Sequence, residues 1–186
     1  MTSIRTFIAL DLENEQVRAK IVETQKELLA LRIEAKPVEP ENLHFTIKFL
    51  GEIDESKLES VNQSLSDLRF EPIKVLYKGL GAFPSLSRIN VIWVGVDEHS
   101  SKAMISLWKE VESRLAKVGF PAGNRFDPHL TIMRVKSGLN KNELSAALRQ
   151  RQNEVFGYDV MSKLKIKKSL LTPSGPIYTD LVVIGE

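Results

Sequence analysis

Two histidines in the chain are each followed, two residues later, by a threonine. His44 opens the tetrapeptide His-Phe-Thr-Ile, and His129 opens His-Leu-Thr-Ile. Because successive side chains of a strand point to opposite faces, each tetrapeptide predicts an imidazole and a hydroxyl on one strand face. Apolar side chains would anchor the other face, and in the first copy these are Phe45, Ile47 and Phe49.

Two histidines on opposite sides of one substrate can act as a general base and a general acid, since the unperturbed imidazole pKa is about 6.5. The neutral imidazole would remove a proton from an attacking hydroxyl or water, and the protonated one would donate to the leaving oxygen. This arrangement suits phosphodiester cleavage, in which nucleophile and leaving group lie roughly in line on opposite sides of phosphorus. Thr46 and Thr131 could then donate hydrogen bonds to the non-bridging phosphate oxygens.

A zinc site is the main chemical alternative for a pair of histidines, and it would need a third ligand at the same place. Asp127 lies two residues before His129, but the matching position before His44 is Asn42. The sequence has no Gly-x-Ser-x-Gly nucleophile motif, no phosphate-binding P-loop and no dinucleotide-binding glycine pattern. We therefore predict neither a metal nor an organic cofactor.

The bulk composition is that of an ordinary globular protein with a mild positive charge. The 186 residues include 26 Lys and Arg against 24 Asp and Glu, and no cysteine. The composition excludes disulfides and thiol chemistry, and it permits a phosphate-bearing substrate without indicating a strongly basic protein. No apolar run reaches the roughly 18 residues of a membrane span, and the N-terminus lacks a signal-peptide cleavage site. We predict a cytoplasmic protein without membrane attachment.

The predicted elements follow one order twice along the chain, strand-helix-strand-helix-strand. Helices are expected after a cap at Asn14 and over 55–69, 101–118 and 141–152, and strands over 5–12, 44–51, 73–83, 87–97, 129–132, 158–171 and 177–184. Three pairs of landmarks keep nearly the same offset, namely Asp11 and Asp97 (86 residues), His44 and His129 (85 residues), and Pro84 and Pro173 (89 residues). A duplicated unit is therefore predicted. It would form a single α+β domain over 1–186, with two pseudo-symmetric lobes, an antiparallel sheet and outer helices in each, and a central cleft between the sheets.

Together with four supporting stretches, one of which contains the first motif, the paired motifs resemble those of the two-histidine (2H) phosphoesterases. The stretches are 5–11, 42–52, 79–84 and 171–178, and they extend the resemblance from one end of the chain to the other. Within that superfamily the chain is most similar to the RNA 2′,3′-cyclic phosphodiesterases, historically called 2′-5′ RNA ligases. The resemblance implies hydrolysis of RNA 2′,3′-cyclic phosphate ends to 2′-phosphates without a cofactor, with His44 as proton donor and His129 as proton acceptor.

The resemblance also implies the partners. These are RNAs with 2′,3′-cyclic phosphate ends, for which tRNA fragments are candidates, and no obligate protein partner is expected. Some members of the family also join RNA ends through a 2′-5′ linkage, which reverses the same chemistry. Two other functions stay open: a phosphodiesterase for another cyclic or 2′-5′ linked nucleotide, and a non-catalytic nucleotide- or RNA-binding module.

Two basic residues near the motifs are candidate phosphate ligands. The family usually carries an arginine shortly after the second motif, and Arg134 occupies that place. Strict alternation would turn Arg134 away from His129, so either a β-bulge re-aims it, or its side chain reaches around the strand end, or it is structural. Lys48 would share the face of His44, where it could add positive charge or simply be solvated.

Candidate RNA contacts outside the motifs are less well defined by the sequence. Lys163, Lys165 and Lys167 would line one strand face, either as RNA contacts or as protection of an edge strand against aggregation. Phe83 and Tyr178 flank turns, where they could stack a base at the rim of a groove or belong to the core.

Overall fold

The computed structural model describes residues 2–185, which form nine strands and four α-helices. The strands are β1 (Ile4–Asp11), β2 (Ala35–Pro37), β3 (His44–Ile53), β4 (Ile73–Ser85), β5 (Arg88–Val96), β6 (Leu130–Val135), β7 (Val155–Met161), β8 (Lys163–Thr172) and β9 (Gly175–Gly185). The helices are α1 (Glu15–Leu29), α2 (Glu55–Leu65), α3 (Glu98–Ala116) and α4 (Lys141–Gln150), and a short 3₁₀ turn spans Pro40–Asn42.

All nine strands belong to one strongly curled antiparallel sheet with the order β7-β4-β5-β6-β3-β1-β8-β9, while β2 pairs with β6. The first lobe contains β3, β1, β8 and β9, and the second contains β7, β4, β5 and β6. Within the sheet, the two halves are joined at a single residue pair, Phe45 of β3 and Leu130 of β6. The predicted α+β fold with two lobes is confirmed. The two sheets expected in it are halves of one continuous sheet.

Capping side chains set the starts of the first three helices. Asn14 Oδ1 accepts hydrogen bonds from the backbone N–H groups of Gln16 and Val17, as expected for a helix N-cap. Asp54 and Asp97 cap α2 and α3 in the same way. Helix α3 therefore begins three residues before the predicted position, because Asp97 already satisfies the first turn. Among residues 2–185, none of the helices has the length and hydropathy needed to span a bilayer.

The predicted single strand over 158–171 is wrong, because this stretch contains parts of two strands that separate at residue 162. β7 pairs with β4 in the second lobe, whereas β8 pairs with β1 in the first. Neither glycine nor proline marks the crossing, and the sequence shows only a lapse in the alternation, with two apolar residues (Val160 and Met161) followed by two polar ones (Ser162 and Lys163). A lapse of this kind also fits a bulge within one strand, so only the tertiary pairing separates the two strands.

The order strand-helix-strand-helix-strand does recur, in β1-α1-β3-α2-β4 and in β5-α3-β6-α4-β8, with β2, β7 and β9 as additional strands. In each unit the last strand leaves its own lobe. β4 pairs with β5 of the second unit, and β8 pairs with β1 of the first. Each lobe is thus built from both halves of the sequence.

Candidate active site

The two motifs lie side by side at the junction of the lobes. Phe45 and Leu130 are paired and fully buried, so both side chains enter the core. Paired residues of antiparallel strands share a face, and their sequence neighbours point the opposite way. The histidines and threonines of both motifs therefore lie on one face of the sheet, which we call the site face.

The register of β3 and β6 sets the arrangement of the four polar side chains. Extended by one residue on each side of the Phe45–Leu130 pair, it places His44 next to Thr131 and Thr46 next to His129. Cross-strand neighbours of this kind have Cβ atoms roughly 5 Å apart. The motifs are thus brought together as the sequence predicts, across a strand boundary within one sheet rather than across a gap between two sheets.

Each histidine ring is oriented by a backbone carbonyl two residues earlier in the chain. His44 Nδ1 lies 2.6 Å from the carbonyl oxygen of Asn42, and His129 Nδ1 lies 2.8 Å from that of Asp127. Because a carbonyl oxygen can only accept, Nδ1 carries a proton in both rings. The nitrogen free to exchange a proton with a substrate is therefore Nε2, and Nε2 of His44 lies 2.9 Å from Thr46 Oγ1.

The side chain of Asp127, considered as a metal ligand from the sequence, is engaged elsewhere. Its carboxylate forms an ion pair with Arg125 at 2.7 Å. In the part of the chain that the structure describes, no three His, Cys, Asp or Glu side chains converge on a possible metal site.

An aromatic ring packs edge-on against each histidine. Tyr178 meets His44 with ring centroids 5.4 Å apart and planes at 89°, and Phe83 meets His129 at 4.8 Å and 84°. Both rings are half-buried. The sequence left two locations open for them, the rim of the groove and the core, and both rings lie at the rim. Phe7 adds a further ring 5.1 Å from His44. These rings fix the orientation of the two imidazoles through contacts that the sequence pattern does not reveal.

Burial lowers the pKa of His44 below its ordinary value near 6.5. The hydrogen bond to the Asn42 carbonyl and the charge of Asp11 act in the opposite direction, while the positive charges of Lys167 and Arg134 add to the lowering of the pKa. In the ligand-free protein His44 is therefore mainly neutral at neutral pH. A bound phosphate anion would favour the protonated ring and raise the pKa of His44.

We expect an NMR titration of the histidine ring protons to give a pKa for His44 below 6.5 in the free protein. Adding adenosine 2′-phosphate should move the pKa of His44 upward, because an anion beside the ring stabilises the imidazolium. Exposed His99 serves as the internal reference, and its ring-proton resonances should not respond to the nucleotide. An unchanged pKa for His44 at saturating ligand would contradict phosphate binding at this ring.

A β-bulge re-aims Arg134. In the pairing of β6 with β5, Thr131 faces Trp93 and Met133 faces Ile92, so Ile132 is an extra residue. Ile132 and Met133 are consecutive and both fully buried, which returns exposed Arg134 to the site face. Of the three possibilities left open by the sequence, the structure shows the bulge.

A matching irregularity in β3 changes the position of Lys48. Thr46 pairs with Ala9 and Lys48 with Ile8, so Ile47 is the extra residue. The expected location of Lys48 on the face of His44 is wrong. Its ammonium lies on the opposite face, 2.8 Å from both carboxylate oxygens of Glu112 in α3.

The same bulge brings Phe49 to the site face, although the sequence pattern places it in the core. Phe49 is 72% exposed, and its ring centroid lies 6.3 Å from that of Phe7, which in turn contacts His44. Each bulge therefore presents one large side chain three residues after the threonine, Phe49 in the first lobe and Arg134 in the second.

Replacing Lys48 by alanine is expected to destabilise the fold by about 3 kcal/mol, because it leaves the buried carboxylate of Glu112 without its positive partner. The two side chains of this pair are only 12% and 9% exposed. Urea unfolding measures the loss, and Lys102→Ala is the matched control, since the Lys102–Glu98 pair is 73% and 83% exposed. Equal effects of the two substitutions would contradict a structural role for Lys48, and kcat/KM of the folded Lys48 variant should stay unchanged.

The lysines of β8 belong to a charge network beside the site. Lys165 Nζ lies 2.8 Å from Asp11 and 3.0 Å from Asp180, and the corresponding distances for Lys167 are 2.6 and 2.9 Å. Two ammonium groups are thus balanced by two carboxylates. β8 is paired on both sides, so the expectation of an edge strand is wrong. Direct contact of Lys165 and Lys167 with RNA would require these ion pairs to break, and Lys163 is the exposed member of the three.

Comparison with known proteins points to one family. The sequence matches the family described as LigT-like phosphoesterase twice, over residues 10–93 and 94–178. An RNA 2′,3′-cyclic phosphodiesterase of Archaeoglobus fulgidus is 40% identical over 181 residues, 97% of this chain and 99% of that protein. One from Thermotoga maritima is 35% identical, with coverage of 96% and 93%.

Solved structures of similar proteins share the fold. The crystal structure of a Thermus thermophilus protein has a TM-score of 0.80 at 26% identity, covering 98% of this chain and 97% of that one. E. coli LigT in its apo form has a TM-score of 0.78 at 21% identity, covering 100% and 98%. Another crystal structure of E. coli LigT, complexed with 3′-AMP, has a TM-score of 0.75 at 20% identity, again covering 100% and 98%.

Proposed function

The chain belongs to the LigT-like phosphoesterase family, and from that premise we propose that its paired histidines hydrolyse RNA 2′,3′-cyclic phosphate ends to 2′-phosphates without a metal ion. Its relatives with high coverage are RNA 2′,3′-cyclic phosphodiesterases, so the chain is a hydrolase of this class. The observation that carries the mechanism is the equivalent setting of the two imidazoles. Each has Nδ1 held by a carbonyl, so Nε2 is the nitrogen that can exchange a proton with the substrate, and in His44 it also lies 2.9 Å from Thr46 Oγ1.

In the proposed reaction the two histidines work on opposite sides of phosphorus. His129 Nε2 removes a proton from water, whose oxygen attacks phosphorus as the bond to the 3′ oxygen breaks. Protonated His44 donates its Nε2 proton to that leaving oxygen, which gives a 3′-hydroxyl and a 2′-phosphate. A phosphate bound beside the ring would raise the pKa of His44, as the role of acid requires.

The remaining groups of the site face would stabilise the charge that develops on phosphate. Thr46 and Thr131 each lie next to a histidine across the strand boundary, within reach of non-bridging oxygens. Arg134 is turned toward the same region by its bulge, and its positive charge acts on both His44 and Tyr178. Preorganised donors of this kind are most effective where charge appears only in the transition state.

The position of the acid, His44, determines where the nucleoside that carries the cyclic phosphate binds. Its 3′ oxygen must reach His44, so its ribose and base lie over the first lobe. The exposed ring of Phe49 is there, beyond Phe7, and an aromatic side chain can stack any base. We propose Phe49 as the platform for this base.

Phe49→Ala is expected to raise KM for adenosine 2′,3′-cyclic phosphate by about 5- to 100-fold, the value of one base–aromatic contact. The effect on kcat should be small, since Phe49 touches neither phosphate nor histidine. Steady-state kinetics give both constants, with Leu139→Ala as the control for loss of an exposed apolar side chain. A wild-type KM in the Phe49 variant would place the base elsewhere.

The proposed function is tested by incubating the protein with adenosine 2′,3′-cyclic phosphate in excess EDTA and resolving the products. Sustained turnover to adenosine 2′-phosphate is expected. Formation of adenosine 3′-phosphate would mean that the acid and base roles of the two histidines are reversed. Loss of turnover in EDTA would mean that the reaction depends on a metal ion. Binding without turnover would favour the non-catalytic nucleotide- or RNA-binding module.

We propose RNA fragments with cyclic phosphate ends, including tRNA fragments, as the physiological substrates, and a cytoplasmic location. No obligate protein partner is proposed.

A further inference from the structure

The charge network beside His44 has no part in the proposed hydrolysis, although it lies on the same face of the sheet. Its members are Asp11 of β1, Lys165 and Lys167 of β8, and Asp180 of β9. Asp11 is the cross-strand partner of His44, so the two side chains share the site face. Lys167 pairs with Phe7 of β1 on one side and with Asp180 on the other. The network is therefore on the side of the site that holds the proposed acid.

The network is shielded from solvent, and its charges are balanced. The side chains of Lys165, Lys167 and Asp11 are only 16%, 7% and 17% exposed. Burial acts to lower the pKa of Lys165, but hydrogen bonds to Asp11 and Asp180 outweigh it and raise that pKa. Burial likewise acts to raise the pKa of Asp180, and hydrogen bonds to the two lysines lower it instead. Because shielded charges are costly unless paired, loss of one member leaves an excess charge beside the site.

Asp11 has the position from which a carboxylate can act on the acid. Both lysines contact the same oxygen of this side chain, Oδ2, at 2.8 and 2.6 Å. Cross-strand partners have Cβ atoms roughly 5 Å apart, and a carboxylate at such a distance favours a protonated imidazole. Burial is the main cause of the lowered pKa of His44, and the charge of Asp11 opposes it while that of Lys167 adds to it.

The other polar groups around His44 come from several elements. The carbonyl of Asn42 holds Nδ1, and Thr46 Oγ1 lies beside Nε2. Arg134 of β6 brings a positive charge that lowers the pKa of His44. The remaining titratable neighbours are Tyr178, which packs edge-on against the ring, and His129 across the strand boundary. Asp11 therefore supplies negative charge to a ring that otherwise faces positive and neutral groups.

We propose that Asp11 is a positioning residue which, fixed by the two lysines, favours the protonated ring of His44 and so prepares it to donate to the 3′ oxygen. The inference rests on the proposed role of His44 as the acid. The lysines have two effects: they hold the carboxylate in place, and they weaken its attraction for the imidazolium. An acid that holds its proton too strongly donates poorly, so the balance of the network matches the proton affinity of the ring to its task.

The test uses two substitutions that should act in opposite directions. Asp11→Asn removes the negative charge with little change in shape, so the pKa of His44 should fall. The limb of the pH profile on which kcat/KM falls as pH rises should then move to lower pH, with kcat/KM on that limb about 3- to 30-fold below wild type. Lys167→Met removes a positive charge, so the pKa of His44 should rise and the same limb should move to higher pH.

NMR titration of the His44 ring protons in the ligand-free variants measures the pKa directly, and kinetics with adenosine 2′,3′-cyclic phosphate give the pH profile. Asp180→Asn is the control, since it breaks ion pairs of both lysines but keeps the carboxylate beside His44. It should move the limb less than either of the other substitutions. Should Lys167→Met fail to fold, Asp11→Asn is compared with the double variant Asp11→Asn/Lys167→Met, whose limb should lie at the higher pH of the two.

A purely structural network would give a different result. Activity would then fall in Asp11→Asn and Lys167→Met while the limb and the pKa of His44 stayed at their wild-type values, which would overturn the proposal. Movement of the limb in the same direction in both variants would also overturn it. A wild-type protein that does not hydrolyse the cyclic nucleotide would contradict the proposed function, whereas the NMR titrations would still show whether Asp11 controls the proton on His44.

Discussion

Replacing either His44 or His129 by alanine is expected to lower kcat for adenosine 2′,3′-cyclic phosphate by about 100- to 10,000-fold, the usual contribution of a positioned general acid or base. Both variants should lose activity, because neither imidazole can perform the role of the other on the opposite side of phosphorus. Single-turnover kinetics in EDTA would measure the loss and separate chemistry from product release.

The matched control is His99→Ala, which removes the third histidine of the chain from an exposed position in α3. It should retain wild-type kcat. The acid and base roles also predict different pH profiles. His44→Ala should lose the limb of the profile on which activity falls as pH rises, since that limb reports deprotonation of the acid. Loss of activity in only one histidine variant would contradict a two-histidine mechanism.

Arg134→Ala is expected to lower kcat/KM by about 100- to 1,000-fold, as seen when a preorganised donor to developing oxyanion charge is removed. Arg134→Lys should recover only part of the loss, because an ammonium cannot reproduce the planar fork of a guanidinium. Steady-state kinetics with the cyclic mononucleotide provide the measurement. Arg149→Ala, on the exposed face of α4, controls for the loss of a surface charge.

A retained activity in Arg134→Ala would show that the bulge at Ile132 serves packing alone. Guanidine added to the alanine variant offers an independent check, since it should restore part of the activity only if the missing group acts at the phosphate. The first lobe provides the contrast. Its equivalent bulge presents Phe49, which should affect KM rather than kcat.

The sequence predicts the two motifs of the site correctly, but it predicts less well on which face of the sheet the residues after each motif lie. His44 and Thr46 alternate as expected over the first three residues of β3, and so do His129 and Thr131. Alternation then fails in both strands, because the extra residue in each bulge moves every later side chain of the strand to the opposite face of the sheet. Lys48, Phe49 and Arg134 all lie beyond a bulge, which is why the expected faces of the first two are wrong.

The break between β7 and β8 is hidden from the sequence for a different reason. Turn chemistry would normally mark a strand end, but here the chain changes partners without reversing direction. The ion pairs of Lys165 and Lys167 depend on Asp11, which is 154 residues from Lys165 in the chain, and on Asp180, which faces Lys167 across the β8–β9 hairpin. Alternation could place the two lysines on one face, but it could not identify the carboxylates opposite them.

The exchange of the last strand between the two repeats has a consequence for how the chain can be divided. A cut in the hairpin after Ser85 would separate the repeats in sequence, yet each piece would hold strands whose partners are in the other. The first piece would keep the β1–β3 ladder but lose every neighbour of β4, and the second would keep β8 and β9 without β1. The two pieces should therefore acquire native structure and activity only when mixed, so the repeats are obligate halves of one folding unit.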